Sequence, residues 1–143
     1  MQEYRKSSHT IFDNRFHLVW VTKYRYKVFD KVKGEKCRNL IREICRTNDV
    51  DILSGHVSSD HVHIYVSVPP HLSISKLMQY IKGKTSRRLQ IEVPEIKRRY
   101  WGRHIWARGY FSATVGELSD EIIKNYIENQ DKHHHSDNFG VLD

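Results

Sequence analysis

Two histidines and a tyrosine carry the chemistry this sequence could do. His61 and His63 flank one apolar residue in Asp60-His61-Val62-His63-Ile64-Tyr65-Val66. On a strand, alternation places both imidazoles on one face, with Val62, Ile64 and Val66 on the other. Two adjacent imidazoles are half of a metal site. Tyr126 and Gln130 lie four apart, so on a helix they share a face one turn from each other. The Gln130 carbonyl would be a third ligand, and the Tyr126 oxygen a nucleophile rather than a ligand. Both pairs also have a plainer reading. Strand histidines are commonly surface polar residues, and Tyr126 belongs to the apolar series Ile122, Ile123, Tyr126, Ile127, where a tyrosine packs in the core.

These residues need a strand and a helix brought together, and the rest of the chain supplies a framework. Arg15 to Thr22 alternates as a first strand covered on both faces, with Phe16, Leu18 and Trp20 one way and His17, Val19 and Val21 the other. It runs into Lys23-Tyr24-Arg25-Tyr26-Lys27, where cations interleave with rings that can stack bases. Cys37, Leu40, Ile41, Ile44 and Cys45 form the apolar stripe of a helix over 31–48, closed by Asn48-Asp49. Val50 to Val57 is a second strand, and the turn Ser58-Ser59-Asp60 returns it as the histidine strand, its antiparallel neighbour. Pro69-Pro70 ends that strand. Ser73 caps a second helix to about Leu89, with Ile74, Leu77, Met78 and Ile81 buried and a basic second half. Gly83 within it predicts a kink or a close backbone contact. Pro94 opens a short basic segment, and a last strand runs from about Ile105 to Val115, with Gly109 as a bulge. Gly116 breaks the chain, Ser119 caps a final helix with Asp120 and Glu121 in its first turn, and a polar tail starts at Asp131. The order predicts an α+β, ferredoxin-like (RRM-like) antiparallel sheet with helices on one face, plus the C-terminal helix that carries Tyr126.

Composition narrows the function classes. With 143 residues, 38% hydrophobic and 29% charged, the chain is globular and reads as a single domain over 1–143. No apolar run approaches the roughly 18 residues of a membrane span, and no signal peptide is visible, so the expected location is cytoplasmic, at the nucleoid during activity. Cys37 and Cys45 share a helical stripe and read as buried thiols. A net charge of +7, from 24 Lys and Arg against 17 Asp and Glu, favours an anionic partner such as nucleic acid. The N-terminal 1–13 reads as a loose lead-in whose Arg5 and Lys6 could touch a partner.

Taken together, these blocks resemble a known family. His61-Val62-His63 is similar to the HUH motif of single-strand DNA nucleases, and Tyr126 with Gln130 resembles the nucleophile helix of TnpA-type single-tyrosine transposases, the IS200-like insertion-sequence family. The resemblance also takes in Phe16 to Arg25, Lys82-Gly83-Lys84-Thr85-Ser86-Arg87-Arg88-Leu89, and Trp106 to Gly116, in the same order. It implies that Tyr126 attacks the scissile phosphorus of single-stranded DNA and forms a 5′-phosphotyrosine link. His61, His63 and Gln130 would hold Mg²⁺ or Mn²⁺. Lys23, Arg25, Lys82, Lys84, Arg87 and Arg88 are the expected DNA phosphate contacts. The implied partners are DNA with a hairpin near the element ends and a second copy of the chain in a homodimer, where the helix of one subunit meets the histidines of the other. No GxxxxGK[ST] loop occurs, in keeping with chemistry that needs no nucleotide cofactor.

Other readings stay open at this level. A histidine-triad hydrolase would need His where Tyr65 stands. An RNA-binding ferredoxin-like module would need a Lys-Gly-aromatic signature in the histidine strand. A non-mobilising relative that binds DNA hairpins would look much the same. His133 and His134 fall three and four after Gln130 and could share its face, whereas His17, His56, His71 and His104 read as structural or surface residues.

Overall fold

Four strands pair antiparallel in the order β4-β5-β3-β6 in a computed structural model that describes residues 4–7, 10–114 and 120–135. The strands are β3 (Arg15–Val21), β4 (Asp51–Val57), β5 (His61–Ser67) and β6 (Phe111–Ala113). That is the ferredoxin-like order expected from the sequence. Ahead of the sheet, β1 (Arg5–Lys6) and β2 (Ile11–Phe12) form a small hairpin. Arg5 is spent within the chain: its guanidinium lies 3.3 Å from Asp51 and 3.5 Å from Asp49, and it donates to the Ser67 carbonyl at 2.9 Å.

Helices α1 (Lys31–Thr47) and α2 (Ile74–Glu92) cover one face of the sheet. Asp30 caps α1 by accepting from the Lys33 N–H at 2.8 Å, and Ser73 caps α2 by accepting from that of Lys76 at 3.1 Å. The α1 stripe from Cys37 to Cys45 packs on Leu18, Trp20, Val62, Ile64 and Val66. Burial pushes both thiols up to about 12, so they stay neutral core residues. α2 continues unbroken through Gly83, where an added Cβ would meet nothing within 4 Å. The close backbone contact is therefore absent, and the glycine opens onto a cavity of about 810 Å³ that Met78, Trp106 and Tyr110 help to line. Helix α3 (Pro94–Arg99) starts on Pro94, whose missing N–H costs nothing in a first turn.

The last strand differs from expectation. Among the described residues Phe111–Ala113 pair with β3, and Trp106 makes an isolated bridge to Thr22. Between them the Lys82 ammonium, reaching from α2, takes the carbonyls of Ala107 at 2.7 Å and Gly109 at 2.9 Å. Those carbonyls are then bonded to an ammonium, and Gly109 turns at φ 82°. Trp106 anchors the segment by donating its indole N–H to the Thr85 hydroxyl at 2.9 Å, which donates in turn to the Ile81 carbonyl at 2.6 Å.

Helix α4 (Asp120–His135) runs on beyond Asp131, where a tail was expected. It lies on the sheet face opposite α1 and α2, where Tyr126 and Ile127 pack on Val19, Val21 and Ala107. The Gly116 break, the Ser119 cap, the strand end at Val115 and the side chains of Asp120 and of His133 to His135 lie outside the described residues.

Thr85→Val keeps the shape of this core and leaves the buried Trp106 N–H without its acceptor. Urea unfolding is expected to show a loss of about 1–3 kcal/mol. An unchanged midpoint would mean that the indole finds another acceptor.

Candidate active site

Residues directly opposite in an antiparallel pair point to the same face. β3 and β5 pair Val21 with His61, Val19 with His63 and His17 with Tyr65. This face, turned away from α1 and α2, therefore carries three imidazoles and a phenol. His61 and His63 share it as the alternation predicted.

Each of the two strand histidines has a defined partner. His61 Nδ1 lies 2.8 Å from Asp60 Oδ1, and Arg25 Nε donates to Asp60 Oδ2 at 3.2 Å. The His61 hydrogen bond and then Arg25 hold the Asp60 carboxyl below its ordinary 3.8, although its burial pushes the other way. With the carboxylate accepting Nδ1–H, a neutral His61 keeps its lone pair on Nε2, the form that binds a cation. The local backbone is shaped for this contact. Tyr24 and Arg25 both adopt left-handed φ, 61° and 54°, in a 3-10 turn over Lys23–Arg25, and the Thr22 N–H donates to the Asp60 carbonyl at 2.9 Å.

His63 Nε2 lies 3.0 Å from His17 Nδ1. His17 is only 7% exposed and stacks on Tyr65, with centroids 4.2 Å apart. Sequence reasoning left His17 as a structural or surface residue. Its parity within the first strand was visible, but only the strand register shows that it meets His63 diagonally.

Tyr126 and Gln130 come from α4, and both are buried, at 8% and 3% exposure. The Tyr126 ring lies 5.8 Å from that of Phe111. Among the described residues, the Tyr126 hydroxyl and the Gln130 Nε2 have no hydrogen-bond partner. Burial also pushes the Tyr126 phenol well above its ordinary 10, so it is protonated in this state. Two orphaned polar groups on one helix face cost about 1–3 kcal/mol each, so this face suits a polar ligand.

The donor set suits a divalent cation: two imidazoles, at least one with its tautomer set by a carboxylate, and a buried amide on the helix packed over the same sheet face. No group of three His, Cys, Asp or Glu that could hold a metal occurs among the described residues. The Gln130 amide oxygen would offer a third protein ligand of another type.

The structure divides the expected DNA contacts. Lys23 and Arg25 sit at the end of β3 beside the site, Arg25 already paired with Asp60. Lys82 is directed inward onto the carbonyls of Ala107 and Gly109, and burial lowers it to about 8. Lys84, Arg87 and Arg88 are exposed on α2, beside a groove against α1 and away from the histidine face. Arg88 is held by Glu92 at 2.9 Å.

Comparison with known proteins gives a consistent result. The family described as "Transposase IS200 like" matches residues 10–130. The transposase of insertion sequence element IS200 from Salmonella typhimurium is 33% identical over 130 residues, covering 91% of this chain and 85% of that one. The ISDra2 transposase TnpA of Deinococcus radiodurans is 30% identical over 128 residues, covering 90% and 91%. A crystal structure from Deinococcus radiodurans described as a transposase superposes with a TM-score of 0.81 at 29% identity, over 88% of this chain and 97% of that one. A REP-associated tyrosine transposase bound to a REP hairpin shares the fold, with a TM-score of 0.55 at 15% identity over 96% and 75%.

The Asp60 contact has a pH signature. Its carboxyl is more acidic folded than unfolded, so its contribution is complete above the ordinary 3.8 and is lost as pH falls through the lower folded value. Asp60→Asn is expected to flatten the acid limb of the stability-against-pH curve while leaving its shape near neutrality unchanged. Identical acid limbs for both proteins would show that the pairing stores no stability.

Proposed function

The chain belongs to the IS200-like transposase family, and on that premise we propose that it cuts and rejoins single-stranded DNA at the ends of a mobile element, with Tyr126 as nucleophile. The observation that carries this reading is the orphaned Tyr126 hydroxyl on a helix packed over the face that bears His61 and His63.

Tyr126 Oη forms a bond to the scissile phosphorus while the bond from phosphorus to the 3′ oxygen breaks. The products are a 5′-phosphotyrosine and a free 3′-OH. The phenol gives up its proton, and the departing 3′ oxygen gains one. The phosphodiester energy stays in the protein link, so attack by a 3′-OH reverses the step and rejoins strands without a nucleotide cofactor.

His61, His63 and Gln130 would hold Mg²⁺ or Mn²⁺. Such an ion would polarise the phosphoryl oxygen and offset the charge that grows on it. Asp60 and Arg25 keep His61 in the ligating tautomer, and His17 restrains the ring of His63. A positive charge nearby also favours ionisation of Tyr126, against the burial that opposes it.

Single strands suit this site because an unpaired backbone bends over a flat sheet face and its bases can stack on aromatics. Lys23 beside the site would hold the strand being cut. Lys84, Arg87 and Arg88 on α2 would grip the hairpin stem, and the hairpin bound by the structural neighbour supports this part of the reading. The working form is a homodimer. In the structure α4 packs on the sheet of its own chain, over Val19 and Val21. Among the described residues no helix is long and apolar enough to cross a membrane.

Incubation with single-stranded DNA from the element's ends and Mn²⁺ is expected to give a covalent protein–DNA band on denaturing gels. Tyr126→Phe or a chelator should abolish it. Equal cleavage by wild type and Tyr126→Phe would sink the assignment. His61→Ala and His63→Ala should lose cleavage while keeping hairpin binding. Asp60→Asn should weaken Mn²⁺ binding about 10- to 100-fold by calorimetry, whereas wild-type affinity in this variant would remove Asp60 from the site.

A further inference from the structure

Trp101 lies outside everything assigned so far. It is 88% exposed, the most exposed large apolar side chain among the described residues. Its backbone is left-handed, with φ 57°, and Gly102 follows at 73°. The two residues close α3: the Trp101 N–H donates to the Arg98 carbonyl at 3.3 Å and the Gly102 N–H to that of Lys97 at 2.9 Å. A left-handed helix terminus is ordinarily Gly or Asn, because a bulky side chain strains there. The fold thus bears strain at Trp101 and gains almost no burial from it. Backbone strain that gains no burial is a starting point for a functional reading.

Charge identifies the partner. From Ile96 to Gly116 the sequence has five Lys and Arg (Lys97, Arg98, Arg99, Arg103, Arg108) and no acid. A second copy of this cationic surface would be repelled, and a polyanion attracted. The turn is also tied to the active site. The Tyr100 hydroxyl donates to the Lys23 carbonyl at 3.0 Å, and the Arg99 guanidinium lies 3.8 Å above the Tyr26 ring. Two residues past Lys23, Arg25 holds Asp60. Tyr24, in the same 3-10 turn, is a second aromatic that is exposed (49%) and left-handed. Two exposed rings in left-handed turns thus belong to segments that the Tyr100–Lys23 hydrogen bond ties together, and the Lys23 segment reaches Asp60 beside His61.

We propose that Trp101 is a stacking post for an unpaired base of the bound DNA strand, placed by the Tyr100–Lys23 contact so that the strand leads toward the metal-binding face. Stacking on an indole tolerates any base, so Trp101 contributes affinity for an unpaired strand rather than sequence choice. The inference rests on the proposed reaction for its ligand class, and its test separates the two.

Of the three tryptophans, Trp20 and Trp106 are buried, so a fluorescence change on adding DNA reports mainly Trp101. Oligothymidylate of about 20 nucleotides is expected to quench the emission, and a blunt duplex of equal length to do so far less. Trp101→Asn should weaken oligothymidylate binding roughly 5- to 150-fold and Trp101→Phe by less. The melting temperature of Trp101→Asn should equal or exceed that of the wild type, because Asn suits the left-handed turn. Unchanged affinity in Trp101→Asn, or equal quenching by the duplex, would overturn the proposal. So would a Trp101→Asn protein that changes its sedimentation but not its DNA affinity, since the surface would then belong to a second copy. If the wild type forms its Tyr126 adduct and Trp101 is silent, this inference alone fails. If no adduct forms and neither DNA binds, the underlying reaction fails with it.

Discussion

In the pairing of β3 with β5, Val21 lies opposite His61, Val19 opposite His63 and His17 opposite Tyr65. Every other feature of the site depends on that register. A slip of one residue would turn His17 toward α1 and α2 and bring Leu18 and Trp20 out of the core. Burial prevents it, because β3 is covered on both faces and Leu18, Val19, Trp20 and Val21 are all inaccessible. The same apolar contacts that stabilise the fold therefore aim the imidazoles. The sheet is a rigid platform, and the chemistry is presented on the face left over for α4.

The charged residues of this basic chain divide into those that build and those that remain available. Arg5 staples the N-terminal hairpin to Asp49 and Asp51, Arg25 holds Asp60, and Lys82 fastens the chain at Ala107 and Gly109. In each case geometry decides. Lys82 and Lys84 are two residues apart on one helix, yet one ammonium points into the fold and the other to solvent, because successive helical positions are about 100° apart. Net charge indicates an anionic partner and leaves open which cations meet it.

For Tyr126 as the proposed nucleophile, two requirements conflict in the resting protein. A nucleophile must ionise, and burial against Phe111, Val19 and Val21 opposes ionisation. Among the described residues the Tyr126 hydroxyl and the Gln130 Nε2 have no hydrogen-bond partner and lie one helical turn apart, so a single polar ligand between helix and sheet would satisfy both. Under the proposed reaction the buried phenol is protonated and sheltered at rest, and the substrate and its counter-charge would relieve the penalty on arrival.

Much of the fold was legible in the residues. The alternation of Phe16 to Val21, the stripe from Cys37 to Cys45 and the Ser73 cap are local patterns, and local patterns determine element type. Strand, helix, strand, strand, helix, strand then leaves few ways to pair. The HxH spacing and the four-residue step from Tyr126 to Gln130 are likewise local, so the sequence alone determined which side chains share a face. Tertiary structure decided what local spacing does not carry. It brought His17 to His63 from 46 positions away, drew Lys82 off the surface, shortened the last strand to Phe111–Ala113 and spent Arg25 on Asp60. It also left Trp101 exposed, although its sequence neighbourhood reads no differently from that of the buried Trp106. The reason is physical: a side chain's partner depends on the register and packing of elements far apart in the chain, and no window of sequence contains both sides of such a contact.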